Sequence, residues 1–128
     1  MPPGEEVAEA YLGRILERCR ESNGKIFVVD FGGPIGGFAC VLTRVKSAEL
    51  DADPTEYGLV SHLIVLEEFR GHGYGRKLLV MAEAYALSEG VRWLRIEVLA
   101  SNVVARGLYL DGGFKEYGLE LERDLQYP

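Results

Sequence analysis

The chain has 128 residues, 48% apolar and 27% charged, which suits a single globular domain burying about two-thirds of its unfolded surface. A net charge of −6 argues against non-specific nucleic-acid binding, which draws its affinity from Lys and Arg on phosphates, and is compatible with a cationic partner. No apolar run approaches the roughly 20 residues that span a bilayer, and Met1-Pro2-Pro3-Gly4-Glu5-Glu6 is neither basic nor apolar, so it is no secretory signal. Cys19 and Cys40 are too few for a disulfide framework and are not spaced as a metal pair. They read as reduced thiols of a cytoplasmic protein with no membrane partner.

Gly4 to Ser22 is expected to be a helix, with Ala8, Tyr11, Leu12, Ile15, Leu16 and Cys19 at 3–4 spacing and Glu5 and Glu6 in the first turn, where negative charge suits the dipole. Asn23-Gly24 stops it. Lys25–Asp30 and Ile35–Val45 form an antiparallel hairpin around Gly32-Gly33-Pro34. From Ser47 to Tyr57 the chain is a loop carrying Glu49, Asp51, Asp53 and Glu56 around Pro54; it lacks the Asp-x-Asp-x-Asp-Gly spacing of a calcium site, so no metal is expected there. Leu59 to Leu66 is nearly continuously apolar, as in a strand buried on both faces. A helix follows over Gly73–Glu89, with Leu78, Ala82, Tyr85 and Ala86 on one face and Gly90 at its end. Val91–Leu99 reads as a strand, with Trp93 and the Met81 region as core. Asn102 caps a helix through Ala105, Leu108 and Tyr109, and Phe114–Tyr117 and Leu119–Leu125 read as strands around Gly118. The expectation is an α/β (α+β) single domain over 1–128: a mixed, mostly antiparallel sheet of about six strands flanked by helices.

Between the buried strand and its helix lies Arg70-Gly71-His72-Gly73-Tyr74-Gly75-Arg76. Three glycines in five residues leave the backbone N–H groups bare at a helix mouth, where unpaired donors and the dipole favour a phosphate. The Walker A spacing is absent. The dinucleotide fingerprint fails as well, because Arg76 stands where its third glycine belongs. What is present, Arg70-x-x-Gly73-x-Gly75 between strand and helix, resembles the acetyl-CoA signature of the GNAT acyltransferase superfamily. A second stretch agrees: Asn102-x-x-Ala105-x-x-x-Tyr109-x-x-x-Gly113-Phe114 fills every position of the other GNAT pattern. Glu97 precedes Tyr109 by twelve residues, and this is similar to the branch that acetylates protein N-termini.

The resemblance implies acetyl-CoA as cofactor, held by Leu63, Ile64 and Val65 of the central strand, by the loop from Arg70 to Arg76 (Gly71, His72, Gly73, Tyr74 and Gly75 included), and by Asn102 and Tyr109. It places the thioester where the central strand and the Glu97 strand splay apart, with a backbone N–H near Val65 for the oxyanion. Acyl transfer to an amine needs a neutral amine, oxyanion donors and a proton for the departing thiolate. Burial on a strand would raise the Glu97 carboxyl and make it a better base. Tyr109 could donate its phenolic proton to the sulfur.

Each role has a plainer rival. Tyr109 could be a core aromatic. Glu97 could pair with Arg95, and His62 is a reserve base that could equally be a satisfied strand histidine. Arg70 and Arg76 could be surface charges. A usual GNAT domain opens with a strand and helix before the helix at Gly4–Ser22, and those are absent here. Either the chain is a minimal version, or a partner subunit, such as a second copy in a homodimer, completes the acceptor groove. The expected activity is acetyl transfer to a primary amine, of a peptide N-terminus or a small molecule. The alternative is a non-catalytic acyl-CoA sensor, which would keep the glycine loop but has no need of Glu97 and Tyr109.

Overall fold

The computed structural model describes residues 3–30, 32–33, 35–47 and 56–127. Its elements are α1 (Pro3–Glu21), β1 (Lys25–Asp30), β2 (Ile35–Lys46), β3 (Glu56–Val65), a 3₁₀ turn (Glu67–Phe69), α2 (Tyr74–Ser88), β4 (Leu94–Ile96) and α3 (Val103–Asp111). They fall into two compact units, Met1–Glu97 and Val98–Pro128. The acidic residues Glu49, Asp51 and Asp53, with Pro54, lie outside the described residues, as do Pro34 and the side chains of Glu5, Glu6 and Ala8.

In the first unit one sheet runs in the order β1-β2-β3-β4, antiparallel except for the parallel β3–β4 pair. α1 is closed by Asn23 in the left-handed region (φ 49°). The Gly24 N–H reaches back to Cys19 O, which satisfies an orphan carbonyl of the last turn. The β1–β2 hairpin turns on Asp30, whose carboxylate accepts from the N–H of Gly32 (2.8 Å) and of Gly33 (3.2 Å). α2 ends as expected at Gly90 (φ 80°), with Gly90 N–H on Leu87 O and Val91 N–H on Ala86 O.

The sheet is covered on both faces. Ile15 of α1 packs with Cys40, Leu42 and Leu59 on one face. α2 supplies Leu78, Leu79, Ala82 and Ala86 to the other, where the Phe27 and Tyr85 rings meet at 6.3 Å. Of the apolar stripe expected on α1, Ile15 is buried and Cys19 half-buried, while Tyr11, Leu12 and Leu16 are exposed. The helix touches the sheet along a narrower line than its sequence pattern suggests.

The sheet has four strands among the described residues, against the six expected. β4 is three residues long where Val91–Leu99 was expected, and Trp93 and Met81 are exposed rather than core. In the second unit, residues 114–127 carry no strand, and Leu119, Leu121 and Leu125 are exposed. Alternation marks a segment able to form a strand, but a strand exists only through hydrogen bonds to a neighbour, which local pattern cannot supply. Among the described residues no helix is long and apolar enough to cross a membrane.

Candidate functional site

The glycine loop links the end of β3 to α2. Gly71 and Gly73 both adopt φ near +80° (83° and 81°), which a side chain would strain. Nothing lies within 4 Å of where a Cβ would sit on either. Their conformation, not crowding, demands glycine, and the space beside them is open. Gly73 is the N-cap of α2 and no side chain caps that end, so the first turn offers its backbone donors outward. The Arg70 guanidinium is anchored, its Nε donating to Val65 O at 2.8 Å. His72 is exposed, and its ring stands 5.9 Å from that of Tyr74. Arg76 is exposed in the first turn of α2.

Upstream of the loop the sheet opens. β3 stays paired with β2 as far as Val65, opposite Gly37, but its pairing with β4 stops at Val60 opposite Ile96. Leu63, Ile64 and Val65 lie beyond that point, on the part of β3 that has left β4. The splay between the central strand and the Glu97 strand was expected in this region, and here the β3–β4 pairing ends with β4 itself. A cavity of about 110 Å³ lies beside it, lined by Arg18, Leu59, Val60, Ser61 and Glu97, with room for several waters or a small acyl group. Glu97 was expected to be buried on a strand. It sits one residue past the short β4 and is exposed, so the burial expected to make it a better base is missing; what Glu97 supplies is negative charge at the cavity wall. Arg95 places its guanidinium 3.9 Å from the centre of the Tyr57 ring.

A β-bulge in β3 sets which way its side chains face. Cys40 pairs with His62 and Val41 with Val60, which leaves Ser61 as the extra residue. The bulge shifts the alternation, so that Leu59 and His62 both face α1. There the His62 ring stacks on Phe38 at 6.2 Å and meets the edge of Tyr11 at 5.8 Å. Its Nε2 is 2.8 Å from Tyr11 Oη and its Nδ1 3.0 Å from Ser61 Oγ. Burial, and then the Arg18 charge, hold the imidazole below the ordinary histidine value, so it is neutral near pH 7. Sequence reasoning named His62 but missed Tyr11, Ser61 and Arg18. The adjacent Ser61-His62 pair was the available signal for Ser61; Tyr11 is 51 residues from His62 and carried none.

In the second unit, Asn102 caps α3 as expected, its Oδ1 accepting from the Ala105 N–H at 3.2 Å. Tyr109 is buried, with the Phe114 ring edge-on at 6.2 Å, and burial raises its phenol above the ordinary tyrosine value.

The model of the Acetyltransferase (GNAT) family matches residues 2–114. The chain belongs to this family. Among curated GNAT relatives, an uncharacterised N-acetyltransferase of Chlorobaculum tepidum is 34% identical over 117 residues, 86% of this chain and 66% of that protein. Streptothricin acetyltransferase of Escherichia coli is 31% identical over 77 residues, 60% of this chain and 44% of that protein. The chain thus spans from under half to about two-thirds of the length of these relatives. Among solved structures, a protein of Pyrococcus horikoshii matches with a TM-score of 0.77 at 26% identity, covering 91% of this chain and 70% of that one. An aminoglycoside N-acetyltransferase, solved with CoA, matches at 0.71 and 18% identity, over 91% of this chain and 87% of that one. That likeness is one of fold. The GNAT assignment and its mixed α/β architecture accord with the sequence reading, and acetyl-CoA is the acetyl donor this family uses.

Proposed function

We propose that this chain transfers an acetyl group from acetyl-CoA to a primary amine, by direct attack of the amine on the thioester. The observation that carries the reading is the start of α2: two glycines in the left-handed region, no side-chain cap, and open space where their side chains would be. That is a cradle for the diphosphate of coenzyme A, formed by backbone donors and the helix dipole, with Arg70 and Arg76 as counter-charges. The pantetheine arm then runs along Leu63, Ile64 and Val65 toward the opening between β3 and β4, and Asn102 contributes to holding it. A backbone N–H near Val65 receives the oxyanion.

Glu97 draws the cationic acceptor to the cavity wall and holds its ammonium there for deprotonation. Tyr109, assigned through the motif it completes with Asn102 and Phe114, gives a hydrogen bond or a proton to the departing thiolate. A raised phenol keeps that proton across the neutral range. A covalent enzyme intermediate has no support: Cys40 is buried, and the Cys19 thiol is raised by burial and by its neighbour Cys40, which makes it a poor nucleophile. Both peptide N-termini, suggested by the Glu97–Tyr109 interval, and small-molecule amines belong in the acceptor class.

The test is release of free thiol from acetyl-CoA against a panel of peptides with free N-termini and of small amines, with mass spectrometry of the product. An acetamide on one class of amine establishes the activity and names the acceptor. Tight CoA binding with no thiol released by any acceptor would support the sensor instead.

A further inference from the structure

Ser61 lines the cavity, and from it a continuous hydrogen-bonded chain leads to the surface of α1: Ser61 Oγ to His62 Nδ1 at 3.0 Å, then His62 Nε2 to Tyr11 Oη at 2.8 Å, with Tyr11 43% exposed. We infer that Ser61, His62 and Tyr11 form a proton relay that carries the acceptor's ammonium proton out of the cavity to bulk water. The inference rests on the amine-acetylation reading above and adds the route by which the amine becomes neutral.

The chemistry balances along the chain. With His62 carrying its proton on Nε2, the Ser61 hydroxyl donates to Nδ1, Nε2–H donates to Tyr11 Oη, and the Tyr11 O–H faces solvent. The ammonium N–H bond breaks as Ser61 Oγ takes the proton. Ser61 passes its own proton to Nδ1, Nε2 passes one to Tyr11, and Tyr11 releases one to water. One proton leaves the cavity, and each of the three side chains ends with as many as it began. The chain then rests in the opposite setting: Nδ1–H donates to Ser61 Oγ, Tyr11 donates to Nε2, and the Ser61 hydroxyl turns to the Cys40 carbonyl, 3.4 Å away. Return to the first setting needs the imidazole to turn out of its two hydrogen bonds, lose the Nδ1 proton to water and take one from water on Nε2, and turn back while the two hydroxyls reorient.

A relay histidine must stay neutral, since a charged imidazole would trap the proton it should pass on. The groups facing His62 serve that end. Tyr11 and Arg18 come from α1 and Cys40 from β2, and the Arg18 charge together with burial keeps the ring neutral. Glu97 lines the cavity that Ser61 also lines. The bulge places both ends of the relay: without the extra residue at Ser61, His62 would turn to the α2 face, away from Tyr11.

The test uses the full chain and an amine that the wild type acetylates. His62→Gln preserves size and polarity but cannot pass a proton, and should lower kcat by about a hundredfold with the KM for acetyl-CoA within about twofold. Tyr11→Phe, which cuts the exit, should lower kcat by about tenfold. His62→Ala should regain turnover on addition of imidazole, a rescue that a purely structural role would not produce. Melting temperature and CoA affinity, measured on each variant, separate loss of fold from loss of relay. Wild-type kcat in His62→Gln and Tyr11→Phe, or slow His62→Ala that imidazole does not restore, overturns the relay while leaving amine acetylation standing. A wild type that acetylates no amine overturns both.

Discussion

The motif singles out Tyr109, and the structure adds a physical property to it. Its burial and raised phenol keep the proton on it through the neutral range, where it can serve as a hydrogen-bond donor. Replacing it with Phe keeps the ring and its packing on Phe114 and removes only the hydroxyl. Tyr109→Phe is expected to lower kcat by about tenfold or more with CoA affinity unchanged, as measured by steady-state thiol release and calorimetry. Equal turnover in the variant would return Tyr109 to the role of core aromatic. Glu97 teaches the opposite lesson. Its place in the sequence suggested a buried strand carboxylate, but the strand ends one residue earlier and the side chain is exposed. Whether a side chain on a strand is buried depends on which strands lie beside it and for how long, and no local signal carries that.

At the scale of the element, the loop before α2 followed from composition alone. Glycines clustered between an apolar strand and an amphipathic helix can hardly do anything but turn the chain and bare its amides. The fold adds that Gly71 and Gly73 need positive φ while having free space around them. Gly73→Glu therefore brings two penalties: backbone strain at φ 81° and a carboxylate where the diphosphate should lie. The variant is expected to lose CoA binding in calorimetry and the rise in melting temperature that CoA gives the wild type. Retained affinity would remove this loop from the cofactor site. Helix ends were similarly readable, since Asn23, Gly90 and Asn102 each do what their residue type suggests. The bulge at Ser61 was not readable, because it exists only as a mismatch of count between two paired strands.

For the whole molecule, the same neutral histidine that suits a relay makes stability depend on pH. In the folded chain His62 lies below its ordinary value, by burial first and the Arg18 charge second, whereas in the unfolded chain it titrates near about 6.5. The unfolded state thus binds more protons over that interval. The contribution is fully present above the unfolded value and declines as pH falls below it. Denaturant midpoints should fall between about pH 7 and pH 5.5, above the range where carboxylates dominate, and His62→Gln should flatten that slope. An unchanged slope in the variant would mean that His62 is not held neutral by the fold.

The sequence by itself determined the order of elements from α1 to α3, the mixed sheet, the glycine loop before α2 and the caps that end its helices. All of these follow from periodicity, residue type and spacing within a few tens of residues. Tertiary structure alone decided that β4 would be three residues long, that β3 would part from it at Val60, that Glu97 would be exposed, and that Tyr11 would meet His62 across 51 positions of chain. Each of these is a matter of pairing between distant segments, settled by register and packing against a neighbour that local sequence does not name.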